Sequence, residues 1–184
     1  MDHRAMKVPT LDTPRLRLRP PRMEDVDHFI ELHGDAKVMK YITNGRPQSP
    51  REARDYLINV LDKMNRQEQM YYYWLGQRRD NGGLIGWYTL RKLEDTEENE
   101  IGYRLLQSAW GHGFGTEGSA ALLQFAFEAL DLPNVMALAI PENRASRRIM
   151  EKIGMQYRKT GRFYDTECVY YSLAKNDFML KSKK

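Results

Sequence analysis

The sequence predicts an α/β fold: a single mixed sheet, mostly antiparallel and flanked by helices, with one β-α-β unit at its centre. Three observations carry this expectation. Two strand-like runs, Tyr71 to Arg78 and Leu84 to Leu90, flank Asp80-Asn81-Gly82-Gly83, a strong hairpin turn. Ser49 is an N-cap with Pro50 at the first helical position and Glu52 completing a capping box, which starts a long amphipathic helix. Finally, Glu100 to Leu105 reads as a strand, leads through a glycine-rich segment into an apolar helix, and is followed by a second short strand at Val135 to Ile140.

The remaining elements follow in order. Arg15 to Arg19 alternates Arg and Leu, a half-buried strand with Leu16 and Leu18 inward, ended by Pro20-Pro21. Val26, Phe29, Ile30 and His33 have helical spacing. Ala53, Tyr56, Leu57, Val60, Leu61 and Met64 form the apolar stripe of the helix that Ser49 starts. Glu94 to Glu98 is acidic and reads as a solvated loop. The helix after the glycines is expected to begin near Phe114 and end near Leu130. Ala120 to Phe127 is apolar nearly all round, which predicts a central, buried helix. Asn143 to Ile153 reads as a helix with Ile149 and Ile153 inward and Gly154 as its stop. Two last strands are expected near Met155–Thr160 and Cys168–Leu173.

A length of 184 residues fits one domain spanning residues 1–184, long enough to bury a core without metal or disulfides. No repeat, low-complexity tract or linker interrupts it. No apolar run approaches a membrane span, and the start MDHRAMKVPT lacks the apolar core of a signal peptide. Cys168 is the only cysteine, and no Cys/His cluster has metal spacing, so a cytoplasmic protein without metal is expected. A net charge of +4 would suit acidic ligands, although an ordinary surface with some lysine excess is the preferred explanation. No basic run with interleaved aromatics points to nucleic acid. The end Lys181-Ser-Lys-Lys reads as a frayed tail.

The most informative segment is Trp110-Gly-His-Gly-Phe-Gly-Thr-Glu-Gly118. Gly111, Gly113 and Gly115 free the backbone to curl just before a helix. The first amides of that helix have no intrahelical partner and sit at the positive end of its dipole, which suits phosphate. Gly113 to Gly118 formally matches GxGxxG, with Glu142 past the next strand, but the upstream hairpins do not suit a dinucleotide fold. A Walker loop is excluded because no Gly-Lys-Ser/Thr follows.

Five segments in order resemble the GCN5-related N-acetyltransferases, and within them the ribosomal-protein N-terminal acetyltransferases. They are Thr13-Pro-Arg-Leu-Arg-Leu-Arg, Glu100-Ile-Gly-Tyr-Arg-Leu, Trp110-Gly-His-Gly-Phe-Gly-Thr-Glu, Asn143-Arg-Ala-Ser-Arg-Arg-Ile-Met-Glu-Lys-Ile-Gly and Tyr170-Tyr-Ser-Leu-Ala-Lys. The resemblance runs from about Thr10 to Phe178. It implies acetyl-CoA as donor, its pyrophosphate held by the amides of Trp110, Gly111, His112, Gly113, Phe114, Gly115 and Thr116. The usual Gln or Arg that opens the loop is Trp110 here. It implies that pantetheine pairs with the strand segment Tyr103, Arg104 and Leu105, where the strand splays from its neighbour, and that Asn143 hydrogen-bonds the same arm. Asn143 is equally a helix N-cap. A homodimer is a family-level expectation.

The implied reaction is attack of a neutral amine on the thioester. It requires a base, oxyanion stabilisation and protonation of the leaving thiolate. A backbone N–H near Leu105 is the oxyanion candidate. The tyrosine that supplies the proton in many relatives is replaced by Met150, which cannot donate one. The ribosomal-protein subgroup suggests Ser146 instead, although Ser146 can equally serve a first-turn amide. Glu100 is the base candidate, but an ungapped count puts the usual position at Asn99, on the other face of the strand unless a bulge intervenes. Tyr103 reads as a core aromatic in preference to a substrate wall.

A weak base favours an α-amine. Neutralising one with a pKa near 8 costs about 1.4 kcal/mol at pH 7, against roughly 4.6 for lysine. The leading expectation is therefore an acceptor that is a protein N-terminus. A small amine (amino acid, polyamine or aminoglycoside) and an inactive CoA-binding module are the alternatives. Tyr71-Tyr-Tyr-Trp74 and the acidic Glu94–Glu98 run are further candidates for acceptor walls.

Overall fold

The computed structural model describes residues 8–42, 45–66, 70–93 and 96–181. The strands are β1 (Leu11–Asp12), β2 (Leu16–Arg19), β3 (Tyr71–Arg78), β4 (Leu84–Lys92), β5 (Asn99–Leu105), β6 (Asn134–Ala139), β7 (Gln156–Phe163) and β8 (Thr166–Ala174). The helices are α1 (Val26–Gly34), α2 (Ala36–Met39), α3 (Pro50–Asn65), α4 (Phe114–Gln124), α5 (Arg144–Lys152) and α6 (Lys175–Lys181). All eight strands form one sheet in the order β1-β2-β3-β4-β5-β6-β8-β7. Every neighbouring pair is antiparallel except β5 and β6, the strands of the β-α-β unit.

Local chemistry sets several of these elements. The Ser49 hydroxyl accepts from the Glu52 amide while the Glu52 carboxylate accepts from the Ser49 amide, the reciprocal capping box that starts α3. Gly82 takes a φ of 73° in the β3–β4 turn, and the Asn81 carboxamide accepts from the Gly83 amide. Gly154 at φ 92° ends α5.

Helices cover both faces of the sheet, so β3 and β4 are buried on both sides. On one face Phe29 and Leu32 of α1 and Leu57 and Val60 of α3 pack with Tyr73, Leu75 and Trp87. On the other, Leu122 and Leu123 of α4 pack with Leu16, Leu18, Trp74, Tyr88 and Leu105. Side chains alternate between these faces along β3, which is why Tyr73, Trp74 and Leu75 are all inaccessible. Among the described residues, no helix is long and apolar enough to cross a membrane.

The structure corrects four expectations. The helix after the glycines is not buried all round: Ala120 and Gln124 face solvent, and after Gln124 the chain widens into a π-helical turn, Phe125–Ala129. In α5 the inward residue is Met150, whereas Ile149 and Ile153 are half-buried against α4 and the core edge. Of the expected tail, Lys181 closes α6, a helix anchored by Phe178, whose ring lies 5.0 Å from that of Phe127, and residues 182–184 lie outside the described residues. Within the acidic run, Glu98 accepts a 2.7 Å bond from the Tyr170 hydroxyl and is not simply solvated. Residues 94–95 of that run lie outside the described residues.

Candidate active site

β5 organises the site. Its pairing with β4 is unbroken from Asn99 opposite Lys92 to Leu105 opposite Gly86, so no bulge interrupts the alternation of its side chains. Gly86 allows this close approach, because a Cβ there would lie 2.0 Å from the Arg104 carbonyl oxygen at a φ of +144°. On the other side, β5 pairs with β6 at one position only, Glu100 opposite Met136. Beyond Glu100 the two strands diverge, and the main chain of Tyr103, Arg104 and Leu105 has no β6 partner. Unpaired main-chain groups in the middle of a sheet are costly unless something bonds to them, so this edge is suited to a strand-like ligand.

The start of α4 faces the same opening. Gly111 and Gly113 have φ of 78° and 82°, conformations that side chains resist. The first ladder bond into the helix runs from the Glu117 amide to the Gly113 carbonyl, which leaves the amides of Phe114, Gly115 and Thr116 without a helical partner. Gly115 lets α4 lie close to its surroundings, since a Cβ would sit 2.7 Å from Ile149 Cδ1 and 3.6 Å from both Leu105 and Tyr103. Gly118 is tighter still, with Tyr88 ring carbons 2.2 and 2.4 Å from a built Cβ. The Tyr88 hydroxyl then donates a 2.8 Å bond to the Phe114 carbonyl, pinning the first turn to β4.

Three residues that sequence reading did not single out brace this turn. The Glu117 carboxylate accepts from the Thr13 hydroxyl at 2.6 Å, the Arg15 amide at 2.8 Å and the Arg15 guanidinium at 2.6 Å. Partial burial opposes its ionisation, but these bonds prevail and hold the carboxyl below the usual carboxylate range. Arg15 also donates to the His112 carbonyl at 2.9 Å and covers the Phe114 ring at 4.8 Å, with Arg78 5.6 Å from the same ring. Two guanidinium groups therefore lie against the ring of the first residue of α4. Thr13 and Arg15 fall in a segment that matched the family, but nothing local in the sequence ties them to a helix a hundred residues away.

Trp110, half exposed, donates its indole N–H to the Leu105 carbonyl at 2.9 Å. It thus bridges the loop to the end of β5, and occupies one lone pair of a main-chain acceptor there.

At the start of α5 the Asn143 side-chain oxygen accepts from the Ser146 amide at 3.1 Å. Asn143 is the N-cap, and its amide nitrogen is left to donate elsewhere, so the two roles weighed for it are compatible. The Ser146 hydroxyl accepts a 3.0 Å bond from the Tyr103 hydroxyl. Tyr103 is therefore neither a plain core aromatic nor an isolated wall. Burial raises its pKa to about 12, partly offset by the bond to Ser146. Met150 is 3% exposed in the apolar core and offers no proton.

Glu100 lies on the opposite face of β5 from Tyr103. It is 7% exposed, accepts from the Tyr164 hydroxyl at 2.7 Å and faces the Arg91 guanidinium at 3.3 Å. Asn99 shares the face of Tyr103, is 8% exposed, and its side-chain oxygen has no hydrogen-bond partner. The structure thus brings Ser146 and Tyr103 together on the α4/α5 side, and puts Glu100 on the α1/α3 side, both along the strand that borders the opening. Tyr73 and Trp74 are wholly buried, which removes them as exposed acceptor walls. No cluster of His, Cys, Asp and Glu with metal-binding geometry occurs among the described residues.

An unpaired strand edge meeting a glycine-rich helix start has the hydrogen-bonding groups to suit an extended ligand with a phosphate end. The acetyltransferase (GNAT) domain profile matches residues 15–156, and the chain belongs to this family. It is an N-acetyltransferase. FsC-acetyl coenzyme A-N(2)-transacetylase of Aspergillus fumigatus is 31% identical over 163 residues, covering 83% of this chain and 67% of that protein. YkkB of Bacillus subtilis is 31% identical over 166 residues, covering 88% and 93%. A GNAT acetyltransferase structure from Bacillus anthracis superimposes with a TM-score of 0.78 at 23% identity, covering 91% of this chain and 99% of that one. The structure of a ribosomal L7/L12 alpha-N-protein acetyltransferase in complex with coenzyme A superimposes with a TM-score of 0.75 at 16% identity, covering 90% and 98%; at that identity the likeness is one of fold.

Proposed function

We propose that this chain transfers the acetyl group of acetyl-CoA to a protein N-terminal α-amine, and that it does so in the cytoplasm. The residues fit the donor. The amides of Phe114, Gly115 and Thr116, with Gly111, His112, Gly113 and Trp110 leading in, would hold the pyrophosphate beside Arg15. The open edge at Tyr103, Arg104 and Leu105 would pair with the pantetheine arm, and the Asn143 amide nitrogen would donate to it. Bound there, acetyl-CoA supplies an acyl group activated as a thioester.

Ser146 is the proposed acid, held by the Asn143 cap and by Tyr103. Its oxygen accepts from the phenol, so its own proton is not spent on Tyr103 and is left for another acceptor. Glu100 is the proposed base, acting from the other face. The observation that carries the α-amine reading is the state of Glu100. It is the only carboxylate on β5, it is 7% exposed, and its Oε2 is already engaged by Tyr164 and Arg91, so it has little surface to offer an acceptor's ammonium. Weak base catalysis suits an amine with a pKa near 8 better than a lysine near 10.4.

A second reading is a small-molecule amine. It is favoured by the Aspergillus relative, whose name specifies an N(2)-transacetylase. An acceptor screen decides between them. Protein and acetyl-CoA are mixed with N-terminal peptides, lysine peptides, amino acids, polyamines and aminoglycosides, and released CoA thiol is read. Turnover confined to free N-terminal peptides is expected. Turnover of small amines alone would replace the acceptor, and CoA binding without turnover of any amine would leave a binding module.

A further inference from the structure

Arg104 is a buried cation that the site described above leaves unexplained. It is 7% exposed, and its Nε and Nη1 groups are buried with no hydrogen-bond partner. No carboxylate among the described residues pairs with it; the guanidinium lies over the Trp87 ring, 4.8 Å from its centre. The polar groups around it are neutral and mostly spent. His33 accepts from the Trp87 indole N–H at 3.1 Å and is paired with Gln48 at 2.7 Å, and burial, helped by the Arg104 charge, lowers its pKa to about 3. The Tyr73 hydroxyl, fully buried, has no well-aligned partner. A buried cation without an anion is strongly unfavourable unless something supplies one.

The position of Arg104 says what would supply it. Arg104 shares a face of β5 with Glu100, and the residue between them on that face is Gly102. That face therefore presents a carboxylate, bare backbone and a guanidinium along about 13 Å of strand, at 3.3 Å per residue. It is also the face turned away from α4 and α5, whose side holds the proposed phosphate and pantetheine contacts.

We propose that Arg104 is an anion subsite of the acceptor compartment, and that the acceptor is an amine carrying a carboxylate several bonds away. A carboxylate matches the planar fork of a guanidinium and would satisfy the two orphaned donors. This inference rests on the transferase reading and narrows its substrate. The carboxylate is borne either by an acidic side chain near a peptide N-terminus or by a small amino acid. Polycationic acceptors are rejected, because they would bring like charge to a buried cation.

Matched acceptors test this: peptide amides beginning serine–aspartate or serine–asparagine, lysine beside lysinamide, and spermidine. Two readouts are taken, steady-state CoA release and calorimetric binding to the CoA-saturated protein. In at least one pair the wild type is expected to favour the carboxylate member tenfold or more, and the pair that does so identifies the source. Arg104→Met is expected to erase that preference while melting no lower than the wild type and still binding CoA, whose proposed contact at this residue would be through the main chain. Equal use of both members of each pair by the wild type, a preference that survives in Arg104→Met, or efficient acetylation of spermidine overturns the subsite. Turnover without preference removes the subsite and keeps the transferase. A calorimetric preference without turnover of any acceptor keeps the subsite and removes the transferase.

Discussion

The Tyr103 hydroxyl donates to the Ser146 hydroxyl across the boundary between β5 and α5, at 3.0 Å. The bond fixes the serine rotamer and leaves the serine proton as the only one of the pair free to serve another acceptor. If that proton goes to the departing thiolate, Ser146→Ala should lower kcat by about 10²-fold, the lower range for a general acid, with little change in acetyl-CoA affinity. Tyr103→Phe should lower kcat less, since the serine remains but loses its orientation. Both losses should shrink with an acyl donor whose thiol is more acidic. Turnover of Ser146→Ala equal to wild type would remove the assigned role.

Glu100→Gln separates base catalysis from packing. The carboxamide can still accept from Tyr164 but cannot take a proton. For an α-amine acceptor the loss in kcat/KM should be largest below pH 7 and fade as the pH approaches 8, where the amine is increasingly neutral on its own. A loss that is constant across this range would mean that Glu100 acts by position or packing.

Gly118 and Gly115 should differ when replaced. A Cβ at Gly118 meets the Tyr88 ring at 2.2 Å, and that ring is wholly buried and tied to the Phe114 carbonyl. A Cβ at Gly115 meets the tip of Ile149, a half-buried side chain that can turn away. Gly118→Ala is therefore expected to destabilise by about 1–3 kcal/mol and Gly115→Ala by less, which thermal melts would rank directly.

Acid should weaken the fold through two buried histidines. Burial lowers the pKa of His28 to about 4 and that of His33 to about 3, so both are neutral in the folded chain at pH 5. In the unfolded chain each titrates near 6.5 and binds a proton as the pH drops below that value. The unfolded state thus holds more protons between pH 6.5 and about 4, and stability falls with falling pH by up to about 1.4 kcal/mol per pH unit for each residue. Melting temperatures from pH 8 to 4.5 should be flat above 7 and decline below 6.5. His28→Gln should soften the decline.

What the sequence made legible was local. The β3 limits follow from the turn chemistry of Asp80 to Gly83, and the start of α3 follows from the spacing of Ser49 and Glu52. The limits of α6 depend on Phe178 finding Phe127, which is tertiary packing. The inward residue of α5 could not be read as Met150, because Ile149 and Ile153 are more apolar and helix rotation is decided by what α5 leans on. The same split holds at the site. The glycine segment announced itself by type and spacing, whereas the Thr13–Arg15–Glu117 brace and the lone guanidinium of Arg104 are facts about which groups meet, or fail to meet, across distant segments.

The single pair between Glu100 and Met136 has a mechanical consequence. In the main chain, strands β1 to β5 and strands β6 to β8 are two panels joined at one stitch, with α5 and its Ser146 carried on the second; only side chains cross elsewhere, Tyr103 to Ser146, Tyr164 to Glu100 and Tyr170 to Glu98 among them. A ligand lying in the divergence would be a suture down the rest of the seam. The Tyr103–Ser146 bond already holds the acid in register with the β5 edge, so the seam is open in its main chain and basted together by its side chains, and a donor would enter between two sides that are already aligned.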